Sequence, residues 1–285
     1  MTVDSEVAAE HNRHSWNAAV EAHASHRPGL QHYLRTGGLT VFPEELALLG
    51  EMTGRSLLHL FCNTGHESLS FNRLGATVTG VDLSDAAIAY ARSLAEATDL
   101  QATFVQADVY AYLSEAAHAG LSFDRIYCGY GAICWLRDLA TFANGVAAIL
   151  APEGRFVLVD FHPTSNMFDP EWRLRYNYPH GGELLTLDGV GDYVAAAGGG
   201  LSPGGFAEGV RDFVNPHQCH LYRWGIGEIV SAFAAAGLRI RRLQEFFYIN
   251  GEKPFARMRL DDQRRYYPPD DVPAIPLMYG LLAEQ

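Results

Sequence analysis

Ser56–Asp82 reads SLLHLFCNTGHESLSFNRLGATVTGVD. An apolar run, Ser56–Phe61, ends in a short polar turn that contains Gly65. A helical stretch over about 66–75 follows, and a second apolar run, Thr77–Val81, closes on Asp82. Strand, turn, helix, strand and acid in that order build a crevice for a nucleotide-like ligand. Backbone N–H groups of the turn can meet the ligand, and the acid is placed to accept from a ribose hydroxyl pair. Glycine suits such a turn because it adopts positive φ freely.

The alternation continues outward. Ala102–Gln106, Phe123–Cys128 and Gly154–Phe161 read as further strands, with helices near 84–97, 109–118 and 137–150. Ser84 is a natural N-cap and Asp85 suits the first turn of its helix. Apolar runs alternating with helices predict a parallel sheet with right-handed crossovers. The rhythm stops at residues 163–213, which are rich in Gly, Pro and aromatic residues. That stretch is too long for a plain loop and predicts a cap or small antiparallel insertion over the crevice. Gly225–Ala236 then reads as a helix, and Leu238–Tyr248 and Ile275–Ala283 as strands. A non-helical segment, Asn250–Pro273, joins them into an antiparallel hairpin at the sheet edge. Four segments are expected: a helical lid (1–50), a cofactor-binding core (51–162), a substrate cap (163–213) and the rest of the core (214–285).

The chain has 285 residues, 48% of them hydrophobic, which is enough for one large α/β domain. Its formal charge of -12 argues against binding nucleic-acid backbones or anionic membranes. No long apolar run predicts a membrane span, and the polar N-terminus has no signal-peptide core. The four cysteines, Cys62, Cys128, Cys134 and Cys219, form no C-x-x-C pair, which suits a reduced cytoplasmic protein. His23-x-x-His26 and His217-x-Cys219-His220 have short spacing but complete no closed zinc set, so no metal is expected.

Five strand–helix units closed by a hairpin resemble the class I S-adenosylmethionine-dependent methyltransferases, over Ser56–Phe161 and again over Leu221–Ala283. In that family the first motif runs approximately hydrophobic-D-x-G-x-G-x-G. Here His59 stands at the usual acid, Phe61 and Asn63 stand at usual glycines, and Gly65 alone is kept. A bacterial subgroup with an H-L-x-C-x-x-G pattern is similarly altered. Gly80-Val81-Asp82-Leu83-Ser84 is similar to the family's second motif, with Asp82 on the ribose hydroxyls. Ala107-Asp108-Val109 is similar to the adenine segment, with Asp108 on the exocyclic amine and Val109 beside the ring. Phe123-Asp124-Arg125-Ile126-Tyr127 and Leu150-Ala151-Pro152-Glu153-Gly154 are similar to the fourth-strand motif and the turn before the fifth strand.

The resemblance implies a doubly wound, seven-stranded Rossmann-like α/β sheet with an N-terminal helical segment and a cap insertion after the fifth strand. It implies S-adenosylmethionine as cofactor, S-adenosylhomocysteine as product, and a cofactor site drawn from Cys62, Asn63, Gly65, Asp82, Leu83, Asp108, Val109 and Gly129. At the carboxyl end of the fourth strand, Tyr130 and Trp135 border the crevice, Tyr130 as a candidate catalytic residue and Trp135 as a candidate substrate contact. His162, ending the fifth strand, is the candidate general base, because a histidine near neutral pH can take the proton from an attacking N–H or O–H. Trp16, Asn17, His26 and Arg27 are candidate lid residues, with Arg27 as the partner of the cofactor carboxylate. Aromatic residues of 163–213, Tyr176 and Tyr178 among them, suggest a small apolar or ring-bearing acceptor, a specialised metabolite methylated on N or O, with C as a further option. An aromatic N-terminal helix offers a homo-oligomer contact. Two other readings compete. A nicotinamide-dependent oxidoreductase suits the same crevice, but G-x-G-x-x-G and Tyr-x-x-x-Lys are absent. A methyltransferase-like domain used only for binding is the other.

Overall fold

The computed structural model describes residues 4–285. Three helices come first: α1 (Ser5–Ser25), α2 (Leu30–Arg35) and α3 (Pro43–Leu49). Strands and helices then alternate: β1 (Ser56–Leu60), α4 (His66–Arg73), β2 (Thr77–Asp82), α5 (Asp85–Thr98), β3 (Ala102–Gln106), α6 (Val109–His118), β4 (Phe123–Gly129), α7 (Leu139–Ile149) and β5 (Leu150–Phe161). After β5 come β6 (Glu183–Leu187), α8 (Tyr193–Ala197), β7 (Cys219–Arg223), α9 (Ile226–Ala235) and β8 (Arg239–Phe246). The chain ends with β9 (Ile249–Asn250), β10 (Arg259–Leu260), β11 (Arg265–Tyr267) and β12 (Met278–Glu284).

Seven strands form one sheet in the order β3-β2-β1-β4-β5-β12-β8. The first five are parallel, and β12 runs antiparallel between β5 and β8. This is the expected α/β sheet with its closing antiparallel pair, β8 taking the edge. Strands β1, β4 and β12 are buried along nearly their whole length, as parallel and central strands covered on both faces must be. One face packs with α6, α7 and α9 around Phe142, Phe156 and Phe233, and the other packs with α3 around Leu49, Phe71 and Tyr127. Strand β5 starts at Leu150, earlier than the sequence suggests, because residues 150 and 123 already pair before an irregularity at Phe123/Arg125.

Within 163–213, β6 pairs antiparallel with β7, which the sequence reading does not mark as a strand. The Asn250–Pro273 stretch, expected to be non-helical, contributes to the small sheet β10-β11-β9. Among the described residues no helix is long and apolar enough to cross a membrane. Helix α1 packs against α5 and β7. Arg13 reaches Asp85 at 2.5 Å, and Asn17 Oδ1 accepts from Ser84 Oγ at 2.6 Å, so α1 is fastened to the start of α5.

Candidate active site

The sheet order reverses between β1 and β4, and a ligand crevice belongs at the carboxyl ends of the strands flanking that point. A cavity of about 460 Å³ lies there. Its floor is the strand ends themselves: Phe61, Cys62 and Asn63 after β1, Asp82 and Leu83 after β2, Asp108 and Val109 after β3, and Gly129 and Tyr130 after β4. Seven of the eight residues expected to hold the cofactor therefore share one wall.

The turn after β1 keeps a glycine-type backbone without the glycines. Phe61 and Asn63 have φ of 59° and 47°, in the left-handed region that costs a non-glycine residue about 1–3 kcal/mol. Hydrogen bonds hold it there. Asn63 N–H donates to Asp82 Oδ2 at 2.8 Å, Asn63 Oδ1 accepts from Thr64 N–H at 2.7 Å, and Gly65 N–H donates to the Cys62 carbonyl at 2.9 Å. Gly65 is not in the cavity wall. It caps α4 at φ 74°, and a Cβ there would come within 2.7 Å of both Ala91 and Phe104. Its glycine serves packing behind the crevice.

Asp82 lies between the turn and α5. Oδ2 accepts from Asn63 and Oδ1 from Ser84 N–H at 2.9 Å, so each oxygen keeps a lone pair directed elsewhere. Burial pushes its carboxyl up from the ordinary value, while the backbone N–H donors oppose that shift. Asp108 uses Oδ1 to cap α6, accepting from Tyr110 and Ala111, and leaves Oδ2 at 3.6 Å from Arg137.

Around the β1 turn the wall is polar. His59, at the family's acid position, is only 4% exposed and shares a hydrogen bond of 2.8 Å with Ser68. Burial pushes it down to about 4, so it is a neutral ring near neutral pH. The negative charge comes instead from Glu67 on α4. Burial disfavours its ionisation, but the adjoining His66 ring, 2.9 Å away, outweighs that and holds the carboxyl at about 2. Arg27 enters the same wall. It is 8% exposed, with one terminal nitrogen 3.1 Å from His66 and its Nε without a partner among the described residues. Tyr130, at φ 42°, donates its hydroxyl to Glu45 at 2.5 Å and accepts from Asn250 at 3.0 Å.

The cavity also has aromatic lining. Trp16, Trp135, Phe161, Tyr193 and Tyr222 line it. The Trp16 ring meets Trp135 edge-on at 5.5 Å and Tyr193 at 6.3 Å. Glu252, from the loop after β9, also lines the cavity.

Besides Gly65 and Asn17, four expected site residues lie outside this lining. His162 follows Phe161 and, by the alternation of a strand, points to the other side. Its ring packs on Tyr279, and its Nε2 lies 3.0 Å from Glu245, outside the cavity wall. His26 ties α1 to the segment after β6: Nε2 is 2.9 Å from Asp192, and Nδ1 accepts from Gly209 N–H at 3.0 Å. Tyr176 is 56% exposed beside a shallow surface cleft with Arg175 and Arg223. Tyr178 accepts from Ile226 N–H at 3.0 Å at the start of α9. Sequence reasoning in turn missed Glu45, Glu67, Asn250 and Glu252. Glu67 sits one position past His66 in the quoted stretch, so its signal was available there.

Residues 57–154 match the protein family described as Methyltransferase domain. The fold is shared with the S-adenosylmethionine dependent methyltransferase from Mesorhizobium loti, at 22% identity and a TM-score of 0.55, over 88% of this chain and 100% of that one. It is also shared with the DhpI–SAH complex, at 13% identity and a TM-score of 0.56, over 99% and 98% of the two chains. A comparison with curated proteins gives no significant match. Residues 57–154 are thus similar to a methyltransferase domain, and the chain as a whole shares the fold of these two structures.

Proposed function

We propose that the protein transfers a methyl group from S-adenosylmethionine to N or O of a small, ring-bearing or apolar acceptor. The observation that carries this reading is one cavity that brings strand-end acids and aromatic rings together. Asp82 and Asp108 stand at the strand ends, Arg27 and Glu67 lie around the β1 turn, and Trp16, Trp135, Phe161, Tyr193 and Tyr222 line the same cavity.

The side chains fit the cofactor's parts. Spare lone pairs of Asp82 match a ribose diol. The partnerless Nε of buried Arg27 calls for an anion, and the carboxylate of the methionine end supplies one. Ionised Glu67 gives the amino group a counter-charge on the same wall. The bound cofactor supplies an activated methyl on positively charged sulfur, a good leaving group. The protein's share is then alignment and exclusion of water, to which the half-buried aromatic side chains contribute.

The test is to incubate the protein with S-adenosylmethionine and matched acceptors, aromatic and short aliphatic amines and alcohols, and follow S-adenosylhomocysteine by mass spectrometry. Turnover with aromatic members and little with the aliphatic ones is expected. Turnover confined to charged aliphatic or polymeric acceptors would contradict the reading.

A further inference from the structure

Glu252 has no place in the cofactor contacts above, yet it lines the cavity. Its own backbone is fixed. Its N–H donates to the Asn250 carbonyl at 2.8 Å, and the preceding Gly251 N–H donates to the Arg264 carbonyl at 2.9 Å. Gly251, at φ 71°, makes the turn that directs the following side chain. No cation pairs with the Glu252 carboxylate among the described residues. The charged and titratable groups around it are Asp160 at the end of β5, Cys134 after β4 and Tyr193 on α8. Asp160 is already engaged, accepting from the N–H groups of Gly131, Ile133 and Phe161. Burial pushes the Cys134 thiol and the Tyr193 hydroxyl up, so neither competes for a proton near neutral pH.

We infer that Glu252 is the catalytic base, facing the transferable methyl from the acceptor side and taking the proton of an N–H or O–H nucleophile. This rests on the function proposed above. In the step, the acceptor's N–H or O–H proton passes to a Glu252 oxygen. The freed electron pair bonds to the methyl carbon, and the carbon–sulfur pair leaves with sulfur. A cavity-lining carboxylate near Tyr193, without a counter-ion among the described residues, is suited to this. Burial, with Asp160 adding to it, raises the carboxyl to about 7, where proton transfer at neutral pH is most effective.

The placement can be tested without knowing the acceptor. Sinefungin replaces the methyl-bearing sulfur with an amine-bearing carbon, so its ammonium occupies the site of methyl transfer. S-adenosylhomocysteine shares every other part but lacks that charge. Both are titrated calorimetrically into the wild type and Glu252→Gln, at pH 5.5 and 8. The wild type at pH 8 is expected to prefer sinefungin at least tenfold. That preference should fall to within threefold in Glu252→Gln and shrink at pH 5.5 in the wild type, with S-adenosylhomocysteine affinity unchanged by the substitution. Equal preference in wild type and variant, or none in the wild type, would overturn the role of Glu252. If S-adenosylhomocysteine itself fails to bind the wild type, the cofactor reading falls first and this inference with it. Should Glu252→Gln not fold, the wild-type pH comparison decides alone.

Discussion

The backbone N–H of Asn63 donates to Asp82 Oδ2 at 2.8 Å, so the carboxylate expected to hold the ribose also fixes the turn expected to hold the methionine end. The turn needs this anchor because Asn63 is held at φ 47° without a glycine's freedom. Loss of Asp82 therefore harms both ends of the site. Asp82→Ala is expected to weaken S-adenosylhomocysteine binding at least tenfold, about 1.4 kcal/mol. Asp82→Asn, which keeps one acceptor oxygen, should lose less. Equal losses in the two variants, read by calorimetry, would contradict the double role.

Arg27 is expected to act on the amino-acid end of the cofactor alone. Arg27→Met should weaken S-adenosylhomocysteine at least tenfold and leave 5′-methylthioadenosine, which lacks the carboxylate, within about threefold. A parallel loss for both ligands would show that Arg27 serves only to hold the wall together.

Gly65 answers to packing. With φ 74° and a would-be Cβ 2.7 Å from Ala91 and Phe104, Gly65→Ala is expected to cost about 2–3 kcal/mol in urea unfolding. A loss below about 0.5 kcal/mol would mean that α4 and α5 yield easily there.

Glu45 gives stability a pH dependence. It is wholly buried, its Oε2 has no partner, and burial pushes the carboxyl up to about 8 against the opposing Tyr130 hydrogen bond. Between its unfolded value of 4.5 and about 8, the folded state holds a proton the unfolded state has lost, so stability falls as pH rises. Below about pH 6.5 the effect is masked. Buried His23 and His59, each pushed down to about 4, have the opposite sign, because there the unfolded chain binds the extra protons. Glu252, raised to about 7, adds to the decline over a narrower range. The wild type should lose about 2 kcal/mol between pH 6.5 and 8 through Glu45. Glu45→Gln should flatten most of that fall, as read from melting curves; an unchanged slope would place the titration elsewhere.

The sheet was legible because its signal is local. Runs such as Phe123–Cys128 and Ala102–Gln106 are apolar or β-branched, bounded by polar turns, and paired with helices capped by Ser84 and Asp108. The cofactor wall followed, since strand ends are fixed once the strands are known. The acceptor side was not legible in the same way. The place of His162 after β5 suggests a base, but the strand's alternation gives that side of the crevice to Phe161. Glu252 lies in a segment without periodicity, and contacts far away in sequence bring it to the cavity. The pairing of Tyr130 with Glu45 spans 85 residues, which no local pattern records.

Binding of S-adenosylmethionine in the crevice, despite the altered first motif, is tested most directly by calorimetric titration of the purified protein with S-adenosylmethionine and S-adenosylhomocysteine. Micromolar binding of both, about 8 kcal/mol, with a raised melting temperature, is the predicted result. A folded protein that gives neither heat nor thermal shift with either ligand would contradict it.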